Sequence, residues 1–176
     1  MSNFEPIHYV PAHHREQILK APVIRIFTVP HTQSEGTANH WCFYLLTPSG
    51  TSIAVDCQPS HRIPSTVLHG GSKGFLIISE LSYTLPPDAQ KAFPLDVISG
   101  LTVAGVLHKL IDHGRHQYEF DVHGVGCRYW VTSQIDLMCQ VGLLTDLRQC
   151  ANAKMAVTLL WPEQTTLPLD RGAYYQ

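Results

Sequence analysis

Short runs of β-branched and aromatic residues dominate the first half of the chain, and apolar residues at helical spacing dominate the second half. The first pattern predicts strands at residues 22–29, 40–46, 52–57, 75–79, 93–98 and, as a shorter extended stretch, 115–121. The second predicts a short helix at 11–20 and longer helices over 102–113, 127–141 and 143–161. The last helix could be broken near Asn152. We expect loops at 31–39, 59–74 and 83–92, and a peripheral polar tail after Pro162.

The clearest hairpin turns at Pro48-Ser49-Gly50, where proline and glycine occupy positions that turns favour. A three-residue loop there sets the register of the two strands. In this register His40 lies opposite Gln58 and is a diagonal neighbour of Asp56 on the same face. The hairpin therefore predicts that an imidazole and a carboxylate lie close together.

The order of the elements predicts an α+β fold, an antiparallel sheet with helices packed on it. The 176 residues suit one domain spanning 1–176, with a core of about 22–161 and polar termini. A hydrophobic fraction of 44% with only 15% charged residues supports a buried core and excludes a disordered chain.

Charge and hydropathy exclude several classes of partner. A net charge of −2 leaves no basic surplus for binding nucleic acid. Apolar runs such as Phe75–Ile78 are too short to span a bilayer. The segment Met1–Pro6 lacks the features of a signal peptide, so we expect a cytoplasmic protein. We expect a small-molecule substrate as the partner, and the oligomeric state is open.

The five cysteines form no close CxxC pair. We therefore expect free thiols, with neither a disulfide framework nor a metal site. The chain also lacks a dinucleotide-binding fingerprint and a phosphate-binding loop, so no cofactor is expected.

One cysteine has a setting that suits a nucleophile. In Gly124-Val125-Gly126-Cys127-Arg128, the thiol lies at a predicted helix start, where unpaired N–H groups and the helix dipole favour thiolate. The same N–H groups could stabilise an oxyanion, aided by Arg128. Gly126 would let a substrate approach the backbone. Cysteine is often simply buried, so packing is the alternative for Cys127.

A nucleophile of this kind needs a base and a group that orients the base. His40 is the candidate base, with Asp56 or Gln58 as orienter, which with Cys127 completes the logic of a catalytic triad. Core roles are the alternatives for His40 and Asp56. The candidate substrate-binding residues are Arg128, Trp41, Gln58, Tyr118 and Gly126.

These motifs resemble those of two families. His40-Trp41 and Cys127-Arg128-Tyr129-Trp130-Val131 resemble the His strand and Cys helix of the circularly permuted papain-like fold, as in lecithin:retinol acyltransferase-like and NlpC/P60-type thiol enzymes. Those enzymes usually carry a second polar residue, often His, on the next strand; here it is Asp56 or Gln58. From about Val23 to Leu144 the chain more closely resembles an uncharacterised fungal domain family with Asn-His-Trp and Gly-x-Gly-Cys-Arg-Tyr-Trp motifs. That resemblance implies one compact domain and makes a role in secondary metabolism conceivable.

Three hypotheses follow. The first is a thiol-dependent hydrolase or acyltransferase acting on an amide, ester or thioester, with Cys127 as nucleophile and His40 as base. The second is a tailoring enzyme, a cyclase or isomerase, that uses His40 and Asp56 as acid and base without a covalent intermediate. The third is an inactive binding module.

Overall fold

A computed structural model describes residues 3–34 and 37–176 of the chain. Residues 1, 2, 35 and 36 lie outside the described residues, and with them the start of the N-terminal segment and the middle of the loop predicted at 31–39. The described strands are β1 (Ile7–Val10), β2 (Arg25–Pro30), β3 (Trp41–Leu46), β4 (Ser52–Pro64), β5 (Ser72–Glu80), β6 (Phe93–Leu95), β7 (Tyr118–Phe120) and β8 (Ala173–Tyr174). The described helices are a 3-10 turn at Ala12–His14, α1 (Arg15–Lys20), α2 (Val103–Asp112), α3 (Cys127–Gln140) and α4 (Leu147–Val157).

The strands form one sheet in the order β6-β2-β3-β4-β5-β7-β8, with β1 beside β5. Its pairs are antiparallel except that of β1 with β5, which is parallel. The expectation of an α+β fold with an antiparallel sheet is confirmed. Phe43 pairs with Val55 in β3 and β4, which is the register predicted from the Pro48-Ser49-Gly50 turn.

Alternate residues of β3 serve two different cores, because side chains alternate across a sheet. Trp41, Phe43 and Leu45 belong to the main core together with residues of α2, α3 and α4. Cys42 and Tyr44 point to the opposite face and pack in a smaller cluster beneath the loop that follows β5. His40, the predicted base, immediately precedes β3.

Local signals explain the helix boundaries. The Thr102 side chain accepts a hydrogen bond from the Gly105 N–H and begins α2 as predicted. Asp146 accepts from the N–H groups of Arg148 and Gln149 and begins α4. Gly142, with φ of 75°, follows the end of α3, as glycine does at many helix ends. Within the described part of the chain, no helix combines the length and apolar character that crossing a membrane requires.

Some sequence-based expectations are wrong. The predicted loop at 59–74 is mostly strand, because β4 continues to Pro64 through a register shift after Pro59. Helix α4 runs through Asn152 without a break. The C-terminal tail is not merely peripheral, since β8 adds to the sheet beside β7.

The cysteine expectation is also partly wrong. Cys139 on α3 and Cys150 on α4 form a disulfide between the two helices. The remaining cysteines, Cys42, Cys57 and Cys127, are free thiols. Spacing in the sequence does not reveal this pairing, because it depends on how the two helices pack.

Candidate functional site

Asn39 holds in place the backbone next to His40, the candidate base. Its side-chain nitrogen donates to the carbonyls of His31 and Trp161, each at 2.8 Å. Its side-chain oxygen accepts from the Trp161 N–H at 2.7 Å. The His31 N–H in turn donates to the His40 carbonyl at 2.8 Å. The Asn-His-Trp motif thus begins with a buried amide that holds the entry to β3 in place.

The next residue, His40, contacts the neighbouring strand. Its Nε2 lies 2.6 Å from Oδ1 of Asp56, and the side chains of His40 and Asp56 are 37% and 17% exposed. The other carboxylate oxygen of Asp56 accepts from Nε2 of Gln58 at 2.5 Å. Of the two orienters considered, Asp56 contacts the imidazole, while Gln58 holds Asp56.

The electrostatics of His40 favour the imidazolium. Burial lowers its pKa, but the hydrogen bond and charge of Asp56, together with Cys127, outweigh burial. The net result is that the pKa of His40 is raised well above its usual value. Since Asp56 occupies Nε2, the nitrogen left to exchange a proton with a thiol is Nδ1.

A tight turn positions Cys127. Oδ1 of Asp121 accepts from the N–H groups of His123 and Val125 at 2.9 and 2.8 Å. Gly124, with φ of 72°, passes so close to His61 on β4 that a Cβ there would lie 2.8 Å from its ring. These contacts bring the start of α3 to the end of the β3–β4 hairpin that carries His40.

At that helix start, Cys127 is the first residue of α3 and follows Gly126, which has φ of 149° and provides no side-chain cap. The Cys127 side chain is partly exposed. It lies close enough to His40 to raise the pKa of the imidazole. Asp56 and Cys127 both act on the imidazole of His40, so the three residues lie in one neighbourhood.

Three of the expected substrate-binding residues have structural roles. Trp41 is 1% exposed and stacks on Phe93 in the core. Tyr118 is fully buried, and its hydroxyl donates to the Gly126 carbonyl. Arg128 is 3% exposed, and its three nitrogens donate to the carbonyls of residues 157, 167 and 168. These side chains are used inside the protein, so they are not offered to a substrate.

A second polar cluster, which sequence reasoning missed, lies beside His40. Nδ1 of His31 lies 3.1 Å from a carboxylate oxygen of Asp88, and Nε2 lies 2.9 Å from the Tyr44 hydroxyl and 3.3 Å from Sγ of Cys42. The rings of His31 and His40 are 6.0 Å apart. Because Asp88 follows His31 by 57 positions, no local pattern in the sequence could have joined them.

Cys42, His31 and Asp88 thus form a second thiol–imidazole–carboxylate set, but its thiol is poorly placed to react. Cys42 is 2% exposed. Burial and the nearby Asp56 raise its pKa well above the usual value, which keeps it as a neutral thiol. Cys127 is the free thiol that combines partial exposure with a helix start.

Two surface grooves lie away from these residues. One of about 520 Å³ is lined by His8, Tyr9 and Arg15, and one of about 950 Å³ lies between Lys20 and Thr47. Among residues 3–34 and 37–176, no group of three or more His, Cys, Asp or Glu side chains is arranged to hold a metal ion. The side chains of His40 and Cys127 are each partly exposed.

Comparison with known proteins places the chain in a family without a known activity. A search of curated proteins and a search of solved structures each found no match. The model of a domain family of unknown function, DUF7770, matches residues 24–175, which include both halves of the candidate site. The chain therefore belongs to the DUF7770 family.

Proposed function

We propose that the protein is a thiol-dependent hydrolase or acyltransferase that acts on an amide, ester or thioester of a small molecule. The observation that supports this most directly is the position of His40, which has the carboxylate of Asp56 at Nε2 and the thiol of Cys127 nearby. A carboxylate, an imidazole and a thiol in this order are the parts that nucleophilic catalysis by cysteine needs.

In the first half-reaction, Nδ1 of the neutral His40 imidazole takes the proton of the Cys127 thiol, and the raised pKa of His40 favours this transfer. The sulfur attacks the carbonyl carbon, a C–S bond forms, and the C=O π electrons move to the oxygen. The tetrahedral intermediate collapses to a thioester and expels the alcohol, amine or thiol, which receives the proton from His40. Asp56 stabilises the imidazolium that exists between these two proton transfers.

In the second half-reaction, water or an acceptor alcohol or amine attacks the thioester while His40 removes its proton. Collapse releases the acyl product, and the proton returns to Cys127. The uncapped N–H groups at the start of α3 would hold the oxyanion in both halves.

The order of the elements is consistent with a circularly permuted papain-like arrangement. In that arrangement the base lies on an early strand and the nucleophile begins a later helix. Here His40 immediately precedes β3 and Cys127 is the first residue of α3. This relation is part of the proposal and gives the site a known chemical precedent by analogy alone.

Acylation by p-nitrophenyl acetate tests the proposal, since attack by a thiolate releases p-nitrophenolate and leaves an acetyl group on sulfur. We expect release of p-nitrophenolate and acetylation at Cys127 in the unaltered protein. Cys127→Ala should remove both, and His40→Ala should slow acylation by about a hundredfold or more. Cys57→Ala is the matched control, because Cys57 is a free but buried thiol of the core.

Acetylation of another residue, or equal release by the Cys127→Ala variant, would contradict the covalent mechanism. A panel of esters, thioesters and amides would then rank the leaving groups for the unaltered protein. Product analysis with and without an added amine distinguishes transfer from hydrolysis.

A second candidate function is supported by the closeness of the His40–Asp56 pair, which is complete without a thiol. Such a pair could act as acid and base in a cyclisation or isomerisation. In that case Cys127→Ala would retain turnover of the substrate, whereas His40→Ala would abolish it.

A further inference from the structure

The hydroxyl of Tyr118 connects the C-terminal segment to the helix that begins with Cys127. It donates to the Gly126 carbonyl at 2.8 Å and accepts from the Gly172 N–H at 2.9 Å. Tyr118 is fully buried on β7, and burial raises its pKa, so the phenol keeps its proton and acts as a donor. Both hydrogen-bonding functions of the hydroxyl are therefore used.

The bond to Gly126 determines the direction of the next N–H group. In a trans peptide the carbonyl and the following N–H lie in one plane and point in opposite directions. The Gly126 carbonyl faces inward, towards the Tyr118 hydroxyl and the Trp130 N–H at 3.1 Å. The N–H of Cys127 must then point the opposite way, outward from the helix start.

The backbone around this peptide has little room to move. A Cβ on Gly126 would lie 3.2 Å from the Tyr118 hydroxyl and 3.3 Å from the Gly172 nitrogen. A Cβ on Gly172 would overlap the same hydroxyl. Both glycines therefore pack closely against the hydroxyl end of Tyr118, and neither position has room for a side chain.

We propose that Tyr118 is a positioning residue that aims the Cys127 N–H at the oxyanion formed during acyl transfer. This inference rests on the proposed function and adds a residue that does not touch the substrate. It also assigns a role to the C-terminal segment, because Gly172 fixes the direction in which the Tyr118 hydroxyl donates.

Two reagents separate orientation of the N–H group from reactivity of the sulfur. Acylation by p-nitrophenyl acetate forms an oxyanion, whereas alkylation by iodoacetamide is a displacement at a tetrahedral carbon and forms none. We expect Tyr118→Phe to slow acylation of Cys127 by about tenfold. Its alkylation should change by less than about twofold, since the thiol itself is untouched.

Tyr174→Phe is the matched control. The Tyr174 hydroxyl also accepts one hydrogen bond, from Gln134 at 2.9 Å, and its ring packs on Tyr118. This variant removes a comparable hydroxyl without touching Gly126, so both rates should stay close to those of the unaltered protein.

Each outcome bears on the inference. Equal slowing of acylation and alkylation would mean a general structural role and would overturn it, as would unchanged acylation in Tyr118→Phe. If the unaltered protein is not acylated at Cys127, the proposed function fails, and this inference fails with it. If Tyr118→Phe does not fold, Gly126→Ala displaces the same peptide and should slow acylation more than alkylation.

Discussion

Nε2 of His40 lies 2.6 Å from Oδ1 of Asp56 on the neighbouring strand β4. Gln58, two residues further along β4, donates from its Nε2 to the other carboxylate oxygen of Asp56 at 2.5 Å. One short stretch of β4 therefore both orients the imidazole and restrains the group that orients it. The arrangement stabilises the positive form of His40 even though the ring is partly buried.

Replacing Asp56 with Asn should lower the pKa of His40, because a hydrogen bond to a negative charge is lost while burial remains. Histidine titration followed by NMR measures this directly. Since the folded-state pKa is raised, the stability from the pair is full at pH values below the unfolded-state pKa and is lost as pH rises through the folded one. Asp88→Asn is the control, since Asp88 contacts His31, and it should leave the His40 titration nearly unchanged.

Iodoacetamide should label Cys127 at least about tenfold faster than Cys42 or Cys57 in the folded protein at neutral pH. Burial raises the pKa of both other free thiols, and each is 3% exposed or less. Peptide mapping by mass spectrometry reads the three sites separately. Comparable labelling at Cys42 would instead favour the second thiol–imidazole–carboxylate set.

Glu119→Gln should lower the free energy of unfolding by about 2 kcal/mol, because charged hydrogen bonds are lost in the interior. Glu119 is fully buried on β7, and its carboxylate accepts from the backbone N–H groups of Thr66, Val67 and Leu68. Burial raises its pKa, but these bonds outweigh burial and lower it below the usual value. Denaturant titration measures the change.

The pH dependence of this effect has a definite sign. The contribution of Glu119 is full above the carboxyl pKa of the unfolded chain and is lost as pH falls through the lower folded-state pKa. The difference in the free energy of unfolding between the unaltered protein and Glu119→Gln should therefore become smaller in acid. Glu16→Gln, at a side chain 92% exposed, should change stability by less than about 0.5 kcal/mol.

Arg128→Met should destabilise the protein by about 3 kcal/mol, because three carbonyls at the end of α4 and in the following segment lose their donor. Thermal unfolding gives the measurement, and Arg148→Met, at an exposed position of α4, is the matched control. An equal effect of the two substitutions would contradict the structural role of Arg128.

The parts of the fold that sequence predicts well are those with local causes. The turn at Pro48-Ser49-Gly50 determines the β3–β4 register, so the closeness of His40 and Asp56 could be anticipated. The start of α3 at Cys127 follows from the glycines before it and the apolar spacing after it.

The parts of the fold that the sequence does not predict depend on contacts between residues far apart in the chain. Strand β1 forms by parallel pairing with β5, about seventy residues later, and its own four residues carry little signal. Pro59 and Pro64 are typical of a loop, yet a bulge between them lets β4 continue. The sequence predicts an anion-stabilising role for Arg128 because the residue follows Cys127. Its three carbonyl partners lie within residues 157–168, too far along the chain for a local pattern to reveal them.

The hydrogen bonds between Asn39 and Trp161 have a consequence for how the chain folds. These two hydrogen bonds join residues that are 122 positions apart in the sequence. We expect contacts of such long range to form late in folding, because closing a large loop lowers the entropy of the chain. During synthesis, a nascent chain that has not yet emerged past residue 161 would lack the two hydrogen bonds between Asn39 and Trp161, so the segment before β3 should become fixed only in the final stage of folding.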